Sequence, residues 1–245
     1  MATSLVDLAR DPTFLPLLHN YCDNRCAHCR LTRRCLLLAA HARAACRSSS
    51  DDGAPVSVQA HGLEVARAIL DAAVPGTEAI AALSMRLGDP DAPPDSVALG
   101  HPLEFLARHY ARQASSYLAS LQGRIADDWP PDSPFEVVTW FHGLIAAKTY
   151  RALVGEHGAA GSPQLLFDVL GSAKLVLVAI DRSITAWQAI AQLDTDARVS
   201  GLIELLGALR TAVEIRFPAA QAFVRPGLDD PVTELPLELL KQGEP

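Results

Sequence analysis

The chain has 245 residues, 49% of them hydrophobic and 20% charged, with a net charge of −7. That is ample apolar material for a buried core, and the acidic balance speaks against a protein that coats nucleic acid. The opening residues, Met1 to Asp7, lack a basic stretch followed by an apolar core, and the longest apolar run, Leu165 to Ile180, is broken by Asp168 and Lys174; no signal peptide or membrane span is expected, and a soluble cytoplasmic protein is.

Leucine and alanine outweigh the β-branched and aromatic residues, which favours helix over strand. The sequence predicts an all-α protein, a helical bundle with a cysteine-rich helical segment at its N-terminus. Residues 1–48 make that segment, and residues 57–225 the bundle. Asp11-Pro12 reads as an N-cap followed by Pro at the first helical position, opening a helix to the mid-forties with a break around the cysteines. Ser48 to Pro55 is a polar linker. Helices are expected at about 57–74 and 76–87, then a proline-rich loop from Asp89 to Asp95. A long amphipathic helix follows from about Pro102 to Ala126, with Leu103, Ala107, Tyr110, Ala114, Tyr117 and Leu121 on one side. Ser133-Pro134-Phe135-Glu136 is a capping box that starts the next helix, which ends near Gly155. The remaining helices are expected at 163–192 and 196–217, the last stopped by Pro218, with an irregular tail after Pro226. No internal repeat of 20–50 residues is present.

Four of the five cysteines, Cys22, Cys26, Cys29 and Cys35, fall within fourteen residues as C-x3-C-x2-C-x5-C. Four thiolates complete a tetrahedral ligand set, and in a reducing compartment such clusters bind metal more often than they form disulfides. The spacing i, i+4, i+7 would set Cys22, Cys26 and Cys29 on one helical face, and a turn between 30 and 34 would bring Cys35 round. Structural zinc sites favour paired C-x2-C knuckles with turn residues, and only one C-x2-C is present. Compact thiolate runs in helical surroundings suit a [4Fe–4S] cluster, which is the expected cofactor, with zinc as the alternative. Residues 1–48 carry seven arginines against three aspartates, a net of +4; with −7 overall, the remainder carries −11. A positive cysteine segment stabilises thiolates or an anionic cluster. Cys46 reads as a core or incidental thiol, and His19, His28 and His41 as surface or neighbouring groups.

The stretch from Cys26 to Ala40 resembles the C-x2-C-x5-C-L element of WhiB-type proteins, which hold a [4Fe–4S] cluster among helices. Fnr-type oxygen sensors and CRISPR-associated exonucleases share that triple spacing, although in those families the fourth cysteine is distant and here Cys22 is adjacent. Cys22, Cys26 and Cys29 also match the C-x3-C-x2-C pattern of radical S-adenosylmethionine enzymes, whose βα barrel this chain lacks the repeated strand–helix units to build. Tyr21-Cys22-Asp23, with the segments from Trp140 to Leu153 and from Gly171 to Trp187, resembles a bacterial family of helical proteins with an N-terminal Tyr-Cys-Asp cysteine motif and no established activity.

A second candidate site lies in the bundle. Val137, Phe141, Leu144, Ile145 and Ala152 form the apolar face of helix 134–155, with Lys148 near its centre and Arg151 on its edge. Helix 163–192 is apolar almost all round, with Lys174, Asp181 and Gln188 aligned every seven residues and Arg182 and Asp168 beside them. Lys148 or Arg151 would pair with Asp181 or Asp168 and fix the helix register; alternatively Lys148, Arg151, Lys174, Asp181 and Arg182 would line a pocket for an anionic ligand. His109 and His142 lack an E-x-x-H companion, so a ferritin-like di-metal site is not expected. No nucleophile–base pair or phosphate-binding glycine loop occurs. The sequence therefore predicts a metal-binding helical protein, for electron transfer or redox sensing with a redox or protein partner. The alternatives are a structural zinc interaction module, or an enzyme with an anion pocket between bundle helices.

Overall fold

Four long helices dominate the structure, a computed structural model that describes residues 11–15, 17–40, 42, 100–121, 130, 132–159 and 161–230. They are α1 (Pro102–Ser120), α2 (Pro134–Gly158), α3 (Pro163–Ala191) and α4 (Ala197–Arg216). The described residues contain no strand, only two isolated bridges, Leu15 with Cys35 and Pro226 with Asp230. The protein is all-α. The expected linker at 48–55, the helices at 57–74 and 76–87, the loop at 89–95, His41 and Cys46 lie outside the described residues.

Local chemistry explains where each helix begins. At α1 the His101 ring accepts from the Leu103 amide at 3.1 Å, with Pro102 at the first helical position. At α2 the capping box is realised with a shift of one residue. Ser133 Oγ accepts from the Glu136 amide at 3.3 Å, while the Glu136 carboxylate accepts from the amide of Asp132 at 3.2 Å. Ser162 Oγ accepts from the Leu165 amide at the start of α3, and Asp196 from the Arg198 amide at the start of α4. Pro218 follows the end of α4, where a short 3-10 turn, Pro218–Ala220, replaces the helix. α2 runs to Gly158, one turn beyond the expected stop, since glycine inside a helix costs only about 1 kcal/mol relative to alanine.

The described residues pack as two units. One comprises the described residues between 11 and 42, Gly155–Asp168 and the turn at 224–230; the other comprises α1, α2 as far as Val154, α3 from Val169, α4 and the chain on to Phe223. In the second unit α1 packs along α4, and every residue of the expected α1 stripe, Leu103 to Leu121, is buried. Trp187 of α3 ties this core together. Its ring is fully buried, its Nε1 donates to Tyr110 Oη at 3.0 Å, and it meets Tyr117 edge-on at 5.3 Å. By length and composition α3 is apolar enough to cross a membrane, but 72% of its most apolar window is buried inside the protein.

The buried phenols make the fold sensitive to alkali. Burial is the main cause that pushes Tyr110 up to about 12, and Tyr21 and Tyr117 move in the same direction. A raised phenol favours the folded state fully below pH 10, and that contribution is lost as the pH climbs from 10 toward 12. Phenolate absorbance and helical circular dichroism, followed together, should therefore change in one transition above pH 10. Ionisation of Tyr21, Tyr110 and Tyr117 near pH 10 with the helices intact would contradict the packing.

Candidate metal centre

The cysteine segment is a chain of tight turns. Leu18–Tyr21 forms a single helical turn, closed by the Cys22 amide donating to Leu18 O at 3.0 Å. Cys22 is extended; Asn24 adopts a left-handed φ of 57°, and the Asp23 carboxylate accepts from the Arg25 amide at 3.2 Å. This Asx turn ends the helix, because Asp and Asn side chains satisfy local backbone donors and Asn tolerates the left-handed region. Two 3-10 turns follow, Cys26–His28 and Thr32–Arg34, with Cys29 and Cys35 extended at their ends. Residues 36–40 are helical. The expected helix from Asp11 is not formed. Asp11 instead caps a turn through the amide and hydroxyl of Thr13 at 2.9 and 2.7 Å. Nor do Cys22, Cys26 and Cys29 share a helical face, since the Asp23-Asn24 turn intervenes. The turn expected between 30 and 34 is present, and it brings Cys35 into a bridge with Leu15.

These turns gather all four cysteines around one cavity, together with Asn24, Arg25 and Thr32. It measures about 10 Å³, on the order of one water-sized sphere. None of the four is in a disulfide; Cys22 and Cys35 are buried, Cys29 is half-buried and Cys26 is exposed. Main-chain amides point at two of the sulfurs, Leu31 N to Cys29 Sγ at 3.4 Å and Leu38 N to Cys35 Sγ at 3.5 Å. Cys22 Sγ donates to Asn24 Oδ1 at 3.2 Å. Burial is the main cause that raises the Cys35 thiol; for Cys26 partial desolvation leads, followed by the charges of Cys29 and Asp23. Both thiols therefore lose their protons only on gaining a cation or at high pH, so metal binding should weaken in acid.

The donor set fits a thiolate-bound metal: four cysteines outside any disulfide line one cavity, with amides directed at two of the sulfurs. The sulfurs do not yet converge. Among the described residues no group of three or more His, Cys, Asp or Glu is placed to hold one ion. A single ion would require the thiols to close inward, and a four-iron cluster would require them to spread. His19 is half-buried and His28 exposed, and neither lines the cavity.

The five residues expected to line the bundle pocket all fall on α2 and α3. Lys148 is buried on α2 and Arg151 half-buried. Lys174 donates to Gln221 O at 2.7 Å, and Asp181 pairs with Arg210 of α4 at 2.8 Å, not with Lys148 or Arg151. Arg182 pairs with Asp132 at 3.2 Å and lies over the Phe141 ring at 4.9 Å. Asp181 and Arg182 line an open groove with Asp132, Pro134 and Val137. Lys174, Asp181 and Gln188 are aligned as expected, but along an edge where Asp181 and Gln188 are exposed and Lys174 is half-exposed. Leu144 is half-buried, unlike the other residues of its expected face. The cavity residues Asn24, Arg25 and Thr32 were missed by spacing arguments centred on cysteine; the Asp23-Asn24 pair carried the turn signal that would have placed Asn24 at the site.

No family model, curated protein or solved structure matches this chain.

Proposed function

We propose that the protein holds a [4Fe–4S] cluster through Cys22, Cys26, Cys29 and Cys35 and serves electron transfer or redox sensing in a reducing cytoplasm. The observation that carries this reading is that four cysteines from successive turns, none in a disulfide, line one cavity. A cluster bound there supplies one-electron chemistry at a potential tuned by hydrogen bonds to sulfur and by solvent exposure. Buried Cys22 and Cys35 anchor the site on its protected side. The Leu31 and Leu38 amides donate to sulfur and so favour the thiolate over the thiol. Exposed Cys26 offers the surface at which a redox protein partner or a small oxidant approaches.

The small cavity favours a second reading, a structural zinc ion in an interaction module, because a single ion needs far less space than a cluster. Absorption spectroscopy on anaerobically purified protein separates the two. A broad visible band that bleaches on reduction supports the cluster; a colourless protein with one zinc per chain supports the structural ion.

A further inference from the structure

We propose that the turn at residues 224–230 positions the cysteine site, acting through Arg30 and Gly227; the inference rests on the thiolate-metal reading above. Arg30 lies between Cys29 and Leu31 in sequence. Its Nε and Nη2 donate to Gly227 O at 3.2 and 2.9 Å, and Nη2 also donates to Leu228 O at 2.9 Å. A guanidinium forked onto two successive carbonyls is fixed in orientation in a way a lysine ammonium cannot reproduce.

The turn is rigid on its own account. The Leu228 and Asp229 amides both donate to Arg225 O, at 3.0 and 2.9 Å. The Arg225 amide and guanidinium donate back to the Asp229 carboxylate, at 3.0 and 2.7 Å. At its apex Gly227 is buried with φ +74°, where a β-carbon would lie 2.9 Å from Leu31 Cδ1 and 3.6 Å from Leu15 Cδ1. Both contacts are one step from a cysteine. Leu31 is the residue whose amide donates to Cys29 Sγ, and Leu15 is bridged to Cys35, with its amide donating to Arg34 O at 2.7 Å. The turn thus holds the neighbours of two of the four thiols, from a point 197 residues away in sequence.

Gly227 is required there for two reasons. A left-handed φ strains a residue that carries a β-carbon, and the added carbon would crowd the side chain of Leu31, whose amide donates to Cys29 Sγ. Arg30→Lys keeps the charge and removes the fork, so it separates positioning from electrostatics.

The test uses the full chain as wild type, R30K and G227A. Reduced, metal-free protein is reacted with a small neutral disulfide, and each cysteine is followed by mass mapping; separately, metal-loaded protein is challenged with a chelator. Both variants should react about tenfold faster at Cys29 with less than about a twofold change at exposed Cys26, and should lose metal roughly tenfold faster, as for loss of an outer support of a metal ligand. Unchanged Cys29 rates in both variants would overturn the proposal. So would equal acceleration at all four thiols accompanied by lost helicity, which marks general unfolding. If wild type retains no metal, the thiolate-metal reading fails, and the thiol rates still decide the role of the turn.

Discussion

Cys35→Ser is expected to abolish metal retention while leaving the four long helices folded. Cys35 is the cysteine most enclosed by the rest of its unit. It is buried, bridged to Leu15, and receives the Leu38 amide at sulfur. Removing an outer support from a metal ligand typically weakens affinity by about 10–100-fold, so removing the ligand itself should exceed about 100-fold. None of the four cysteines lies in α1 to α4, so far-ultraviolet circular dichroism should change little. Cys46→Ser is the control, because Cys46 stands apart from the ligand spacing, and it should retain metal as wild type does. Equal metal content in Cys35→Ser and wild type, measured by elemental analysis, would remove Cys35 from the site.

The largest loss of stability is expected from Trp187→Ala. Trp187 is fully buried, makes an edge-on contact with Tyr117 and donates its only polar hydrogen to Tyr110. Truncating a buried aromatic to alanine costs about 3–5 kcal/mol through lost transfer energy and the cavity left behind. Trp187→Phe keeps much of the ring volume but removes the donor to Tyr110, so it should cost less, on the order of 1–3 kcal/mol. Urea denaturation followed by circular dichroism measures both. A loss below about 1 kcal/mol for Trp187→Ala would show that this ring is not central to the α1–α3 packing.

The helices were legible because their signals are local. Ser133 caps α2 as its capping box predicts, α3 starts at Pro163 as expected, Pro218 ends α4, and the α1 stripe from Leu103 to Leu121 is buried throughout. The cysteine segment was less legible. Helical spacing put three cysteines on one face, but the Asp23-Asn24 turn takes precedence over that periodicity and the chain folds as successive turns. The bundle charges show a different limit. A seven-residue spacing aligns Lys174, Asp181 and Gln188, yet on a helix apolar almost all round it does not reveal whether that line faces core or solvent. Partner choice was equally hidden: Asp181 takes Arg210, from a helix whose face was not weighed against it. The tie from Arg30 to Gly227 spans nearly the whole chain and leaves no local pattern to read.

Metal and sulfide analysis of anaerobically purified full-length protein, taken with its visible spectrum, bears most directly on the proposed cluster. About four irons and four sulfides per chain are expected, with a broad visible absorption that bleaches on reduction and is absent from Cys35→Ser. A colourless protein would contradict the cluster, whether it carried one zinc ion or no metal at all.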